Sequence, residues 1–183
     1  MKNRFRGTFA PFAALLLFFA AAPALAQTAP AKVLSPADVS AYASNFNAIQ
    51  EEMDALGDKY DDYFPDAFDV EDENADLSAS FRRLRTLNPP AEIAAILKKN
   101  GLGNNGFEKF VVISYCIGIA AMESSFDLYA AQYAGNAEMM AYFEESKKNL
   151  EAMKGAVNPA DLKLVASRLG ELAPLMEIET GEY

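Results

Sequence analysis

The chain has 183 residues and no histidine, and 26 acidic residues against 16 basic ones give it a formal net charge of -10. The absence of histidine excludes His-based catalytic triads, c-type haem attachment and the Glu-x-x-His di-iron sites of helical bundles. The negative charge disfavours nucleic acids and anionic lipids as partners, because their phosphates repel such a protein.

The amino terminus has the pattern of a secretory signal peptide. Basic Lys2, Arg4 and Arg6 precede an apolar run at 11–22, and a small-residue cleavage site ends at Ala26. Removal of this peptide takes away three basic residues and no acidic ones, which leaves 13 basic and 26 acidic residues and a net charge of -13. We therefore expect a mature protein in the periplasm or outside the cell.

Residues 27–34 are expected to be a flexible mature start, followed by a helical domain at 35–175 and a tail at 176–183. Ser35-Pro36 begins the first helix with an N-cap and a proline at the first helical position. Apolar residues then recur at intervals of three and four, which predicts a seam along one face of a long helix interrupted near Gly57. An exposed part of this seam would allow a homo-oligomer. The seam consists of Val39, Tyr42, Phe46, Ile49, Met53, Leu56, Tyr60 and Tyr63.

The acidic stretch 58–76 is the most charged part of the chain. Asp69, Glu71 and Glu73 have the spacing of calcium ligands, but Asn74 stands where an EF-hand loop needs glycine. We expect a solvated acidic loop that binds cations weakly, if at all, and no specific metal site. Its interleaved aromatic residues either pack onto the bundle or contact a partner.

Four further helices are predicted around a central one. Helical spacing resumes at 77–87, and a third helix follows Pro89-Pro90 and ends at Asn100-Gly101. A fifth helix starts after Gly135-Asn136. The last helix begins at Asn158-Pro159-Ala160-Asp161, which repeats the capping pattern of the first helix, and it extends to Pro174. No segment alternates with a period of two, so strands are not expected.

Helix four, at about 107–133, is apolar on nearly every face, which is typical of a helix enclosed by others. Its uninterrupted apolar stretch, 110–122, is shorter than the ~20 residues of a membrane span. We therefore predict no transmembrane segment after signal cleavage. The expected fold class is an all-α, single-domain bundle of about six helices around this central helix, with Cys116 buried inside it.

One motif suggests catalysis. Within 121–127, Glu123-Ser124-Ser125-Phe126 resembles the Glu-Ser-x-Phe signature of soluble lytic transglycosylases, helical enzymes that cleave peptidoglycan. The resemblance implies that Glu123 is a general acid with a raised pKa. The alternative is structural: Glu123 and Asp127 are four residues apart, so they share one helix face where the buried helix reaches solvent.

Methionine and phenylalanine residues suggest binding. They would form a pliable apolar pocket between helices, or they are ordinary core residues. We expect an exported, non-catalytic protein without cofactor or metal, which binds a protein partner or a small apolar ligand in the cell envelope. A peptidoglycan-cleaving enzyme is the alternative. The candidate pocket residues are Met122, Phe126, Met139, Met140 and Phe143.

Overall fold

The computed structural model describes residues 30–63, 77–133 and 135–176, in which it has seven α-helices and no strand. The predicted signal peptide, residues 64–76 of the acidic stretch with its calcium candidates, and residues 177–183 lie outside the described part. Two short 3-10 helices (Gly57–Tyr63 and Ala173–Met176) and one π-helical turn (Lys98–Leu102) supplement the α-helices. The α-helices are α1 (Pro36–Asp54), α2 (Leu77–Arg85), α3 (Ala91–Leu97), α4 (Gly106–Gln132), α5 (Ala137–Lys154), α6 (Pro159–Ala166) and α7 (Leu169–Leu172).

The predicted all-α bundle with a central apolar helix is confirmed. The expected last helix is divided into α6 and α7, because the backbone leaves the helical region at Arg168 (φ -122°, ψ 18°). The guanidinium of Arg168 binds both carboxylate oxygens of Glu171 and the hydroxyl of Ser40 on α1. The contact with Ser40 connects the start of α7 to α1.

A capping box fixes the start of α1. The Ser35 hydroxyl accepts a hydrogen bond from the Asp38 N–H, and the Asp38 carboxylate accepts one from the Ser35 N–H. Lys109 on α4 donates to the same carboxylate at 2.7 Å. Burial acts to raise the pKa of Asp38, but the hydrogen bonds from Lys109 and Ser35 outweigh it, so this pKa lies below its ordinary value. The capping box therefore also connects α1 to α4.

The seam of α1 faces the bundle interior. Four of its residues are buried, and the Tyr42 hydroxyl lies 3.1 Å from the Ser114 hydroxyl on α4. Burial raises the pKa of Tyr42 far above its ordinary value. Among the described side chains of the seam, those that reach solvent are half-buried and lie near the end of α1 and after it, and the side chain of Tyr63 is outside the described part. The buried residues are Val39, Tyr42, Phe46 and Ile49, and the half-buried ones are Met53, Leu56 and Tyr60.

A tight connection brings α3 against the start of α4. Gly101 and Gly103 adopt φ of 89° and 76°, in the left-handed region where side chains are strained. Gly106, the first residue of α4, leaves no room for a side chain, because a Cβ there would lie 2.9 Å from the Leu97 Cβ. The buried Asn100 side chain donates to the Ile96 carbonyl and so stabilises the turn. This close approach sets the position at which α4 enters the core.

Helix α4 contacts all six of the other α-helices. By length and composition, Gly106–Phe126 is the one described stretch that would be long and apolar enough to cross a membrane, and 61% of its apolar 18-residue window is buried inside the protein. Cores of soluble proteins contain helices with the same properties. Its fully buried side chains include Val112, Ile113, Cys116, Ile117 and Ile119.

Candidate functional site

The candidate pocket residues lie on two neighbouring helices, α4 and α5. Phe126 on α4 and Phe143 on α5 are both buried, and their rings meet edge to face, with centroids 6.2 Å apart and planes at 82°. The Tyr133 ring lies 6.0 Å from that of Phe143. Edge-to-face pairs contribute about 0.5–1.5 kcal/mol beyond their buried area. The structure thus joins two of the five predicted residues directly and makes them part of the contact between α4 and α5.

Three methionines lie beside this aromatic pair. Met122 is one helical turn before Phe126 on α4, and Met139 and Met140 are in the first turn of α5. All three are half-buried and pack against the core. Methionine is unbranched and polarisable, so a half-buried methionine can adapt to a binding partner. We call Met122, Phe126, Met139, Met140 and Phe143 the α4–α5 face.

An asparagine positions the two methionines of α5. The Asn136 side-chain oxygen accepts a hydrogen bond from the Met139 N–H at 3.2 Å, and the Asn136 carbonyl accepts one from the Met140 N–H at 2.9 Å. Asparagine is among the best N-cap residues, because it satisfies backbone donors that have no partner within the helix. The start of α5, and with it the orientation of both methionines, is therefore fixed by local sequence.

Glu123 lies next to Met122 but points to a charged environment. Its side chain is 49% exposed, and its carboxylate accepts a hydrogen bond from the Lys154 ammonium, which also contacts Glu151 at 3.0 Å. Hydrogen bonding to Glu123 is the main cause that raises the pKa of Lys154. A catalytic general acid must carry a proton when it acts, and enzymes favour that form by burying the carboxyl group. Glu123 instead forms an ion pair between α4 and the end of α5.

The two serines of the transglycosylase-like motif have ordinary positions on the α4 helix. Ser124 is exposed, and the Ser125 hydroxyl donates to the Ala121 carbonyl of its own helix at 3.0 Å. The Asp127 side chain lies outside the described part of the chain. In the described part of the motif, the Glu123 carboxylate has Lys154 as its partner, and the same ammonium group also contacts Glu151.

The part of the chain that the structure describes contains no group of three acidic, cysteine or histidine residues able to hold a metal ion.

Cys116, the single cysteine, is completely buried in α4, and burial raises the pKa of its thiol to about 12, with the negative charge of Asp161 as a second cause. A thiol with such a pKa is protonated at neutral pH and is a poor nucleophile.

The sequence did not reveal a polar cluster formed by Arg85, Asn158 and Asp161. This cluster binds residues 30–34, which we call the N-terminal segment. The Asp161 carboxylate on α6 is only 1% exposed and accepts hydrogen bonds from the Val33 N–H at 2.8 Å and the Leu34 N–H at 3.0 Å. The Asn158 side chain donates to the Pro30 carbonyl at 2.8 Å. The sequence assigned Asn158 and Asp161 to helix capping, and nothing local indicated partners more than a hundred residues away.

Arg85 completes this cluster from the other side. It lies at the end of α2, donates to the Ala31 carbonyl at 3.3 Å, and forms an ion pair with Glu108 of α4 at 2.7 Å. The Leu34 side chain is 2% exposed within the core. Residues 30–34, which the sequence analysis placed in a flexible start, are thus hydrogen-bonded to both α2 and α6.

Comparisons with known protein families, with curated proteins and with solved structures give no significant match.

Proposed function

We propose that this protein is an exported, non-catalytic binding protein of the cell envelope, and that the α4–α5 face contacts its ligand. The ligand is a protein partner or a small apolar molecule. The observation that supports this proposal is a buried aromatic pair, Phe126 and Phe143, bordered by three methionines that remain half-buried. Binding sites typically combine an apolar, aromatic surface with a few polar groups at the edge.

The polar edge of this face is the ion pair between Glu123 and Lys154. It lies next to Met122 on α4 and near the end of α5, and both side chains reach solvent. Charged groups at the rim of an interface affect association rate and specificity more than affinity. In this proposal Glu123 therefore contributes to the choice of ligand and has no chemical role.

Export is proposed from the signal-peptide pattern that ends at Ala26. The mature charge of -13 favours partners that are neutral or basic at the contact surface.

A methyl NMR experiment tests the α4–α5 face directly. Mature protein with ¹³C-labelled methionine methyl groups is titrated with 1-octanol, a neutral apolar probe. We expect the signals of Met122, Met139 and Met140 to shift, while that of Met53, a half-buried methionine of the α1 seam, stays unchanged. Shifts of equal size at all four methyl groups would contradict a specific ligand site.

A protein partner is tested by site-specific crosslinking in cells. A photo-crosslinking residue replaces Met140 in one variant and Lys148, an exposed residue of the same helix, in the control. A partner on the α4–α5 face gives a discrete adduct from position 140 and none from position 148. If position 140 gives no adduct and 1-octanol moves no methionine signal, the proposed binding function is wrong.

The second candidate function is glycan cleavage by Glu123, which is supported by the resemblance of residues 123–126 to the Glu-Ser-x-Phe signature. Purified mature protein is incubated with peptidoglycan beside Glu123→Gln and the control Glu151→Gln, since both residues contact Lys154. Release of muropeptides that disappears only in Glu123→Gln would establish the enzyme and replace the binding proposal.

A further inference from the structure

The accessible part of the α4–α5 face consists of methionine side chains. The buried rings of Phe126 and Phe143 meet edge to face, so they belong to the packed contact between the two helices. Met122, Met139 and Met140 lie beside these rings and keep part of their surface in solvent. A ligand of this face would therefore lie across the methionines and would not enter between the rings.

The chain around this face is acidic. The stretch 123–146 includes the end of α4 and the first half of α5, and it contains five acidic residues and no basic one. Where their side chains are described, at Glu123, Glu144 and Glu145, they are exposed. Glu144 follows Met140 by four residues, so the two share one side of α5. The five acidic residues are Glu123, Asp127, Glu138, Glu144 and Glu145.

Two lysines from the second half of α5 neutralise part of this charge. Lys154 forms the ion pair with Glu123. The Lys147 Nζ atom lies 3.6 Å from the Glu144 Oε1 atom, which is too far for a hydrogen bond. Exposed ion pairs contribute little to stability, so a cationic ligand group can replace Lys147 at small cost.

We propose that the ligand of the α4–α5 face is a basic amphipathic helix of a partner protein. The proposal rests on the proposed binding function of this face and selects one class among its ligands. Amphipathic helices bind apolar surfaces through side chains that recur at intervals of three and four, and methionines adapt to such side chains. The apolar side of the helix would cover the methionines, and its lysines or arginines would face Glu144 and Glu145.

Two model peptides test the preference for a basic helix. One is an amphipathic helix of leucine and lysine with about 14 residues, which is about 21 Å long, and the other has glutamate in place of every lysine. Fluorescence anisotropy measures the binding of each labelled peptide to the mature protein at physiological salt. We expect the lysine peptide to bind at least about tenfold more tightly than the glutamate peptide.

Equal binding of the two peptides, or no binding of the lysine peptide, would refute a basic helix as the ligand. Neither result bears on the binding function itself, which the methyl NMR and crosslinking experiments test separately.

Variants of the protein locate the bound peptide. Met140→Gln keeps the length of the side chain and removes its apolar end, so it should weaken binding of the lysine peptide by about tenfold. Glu144→Gln combined with Glu145→Gln should weaken it by at least about threefold. The control combines Glu51→Gln with Asp54→Asn, which removes the same charge from exposed residues of α1, and it should change binding by less than about twofold.

The comparison of the two double variants decides the proposal. If both weaken binding equally, the peptide is attracted by the net charge of the whole protein, and the proposal is wrong. It is also wrong if folded Met140→Gln binds the lysine peptide as tightly as wild type does. Circular dichroism checks the fold of each variant. Because the four substituted acidic residues are exposed, the double variants test the proposal even if Met140→Gln fails to fold.

Discussion

Asp161→Asn is the substitution that best tests the hydrogen bonds between the Asp161 carboxylate and the N-terminal segment. The amide keeps the size of the carboxylate, but only one of its two polar atoms accepts hydrogen bonds, so its NH₂ group must face either the Val33 N–H or the Leu34 N–H. A buried donor without a partner costs about 1–3 kcal/mol, and the loss of a charge-assisted bond adds to this. We therefore expect the free energy of unfolding to fall by about 2–3 kcal/mol.

This loss is large compared with the roughly 5–15 kcal/mol that stabilises a typical domain. For a chain of this size it corresponds to a decrease in Tm of roughly 5–10 °C. Urea unfolding followed by circular dichroism measures the free energy, and hydrogen exchange of the Val33 and Leu34 amides reports the local effect. Asp54→Asn, on an exposed residue at the end of α1, is the matched control and should change stability by less than about 0.5 kcal/mol. An Asp161→Asn protein as stable as this control, with unchanged exchange at both amides, would refute the reasoning.

Three further predictions concern the core, and urea unfolding measures each. Tyr42→Phe and Ser114→Ala should each lower the free energy of unfolding by about 1 kcal/mol. The double variant should lose little more than the worse single variant, because both substitutions remove the same 3.1 Å hydrogen bond. Fully additive losses would argue against a shared hydrogen bond. Cys116 keeps its proton up to a pKa of about 12 when folded, whereas the unfolded thiol loses it near pH 8.5. The contribution of the protonated thiol to stability is therefore complete below pH ~8.5 and about 2 kcal/mol smaller at pH ~10. Cys116→Val should remove this loss of stability between pH ~8.5 and ~10. A variant with the same pH dependence of unfolding as wild type would count against this role of the thiol. Gly106→Ala should lower the free energy of unfolding by about 1–3 kcal/mol, because its Cβ would lie 2.9 Å from the Cβ of the buried Leu97. The Cβ of Gly135→Ala would meet no atom within 4 Å, so this control should be nearly neutral. Similar losses in both variants would show that crowding is not the cause.

The sequence predicted the helices well where a local signal exists. The core helix expected at 107–133 is observed at Gly106–Gln132, because a long run that is apolar on every face has few alternatives to a buried helix. Ser35 and Asn158 cap their helices as expected, since capping depends on residues within one turn. The break at Arg168 was not predicted, because apolar residues keep helical spacing across it and the contacts of Arg168 involve a distant part of α1.

The candidate site was predictable only in part. The sequence placed Phe126 and Phe143 on the apolar faces of two helices, but only the structure shows that the two rings meet. The partner of Glu123 is Lys154, 31 residues later, and no pattern in the sequence connects them. The same holds for Asp161, whose backbone partners lie 127 and 128 residues earlier. Contacts between remote residues depend on how whole helices pack, and periodicity does not encode that packing.

The composition of α4 has a consequence for the export that we propose for this chain. A translocation channel opens sideways to lipid, and it tests each passing segment for its preference for the bilayer. Gly106–Phe126 has the length and composition of a segment that would stop there. Glu108, Lys109 and Glu123 fall inside this stretch, and charged side chains raise the cost of entering lipid. The same three residues that tie the helix to its neighbours would thus also help to prevent an exported chain from becoming anchored in the membrane.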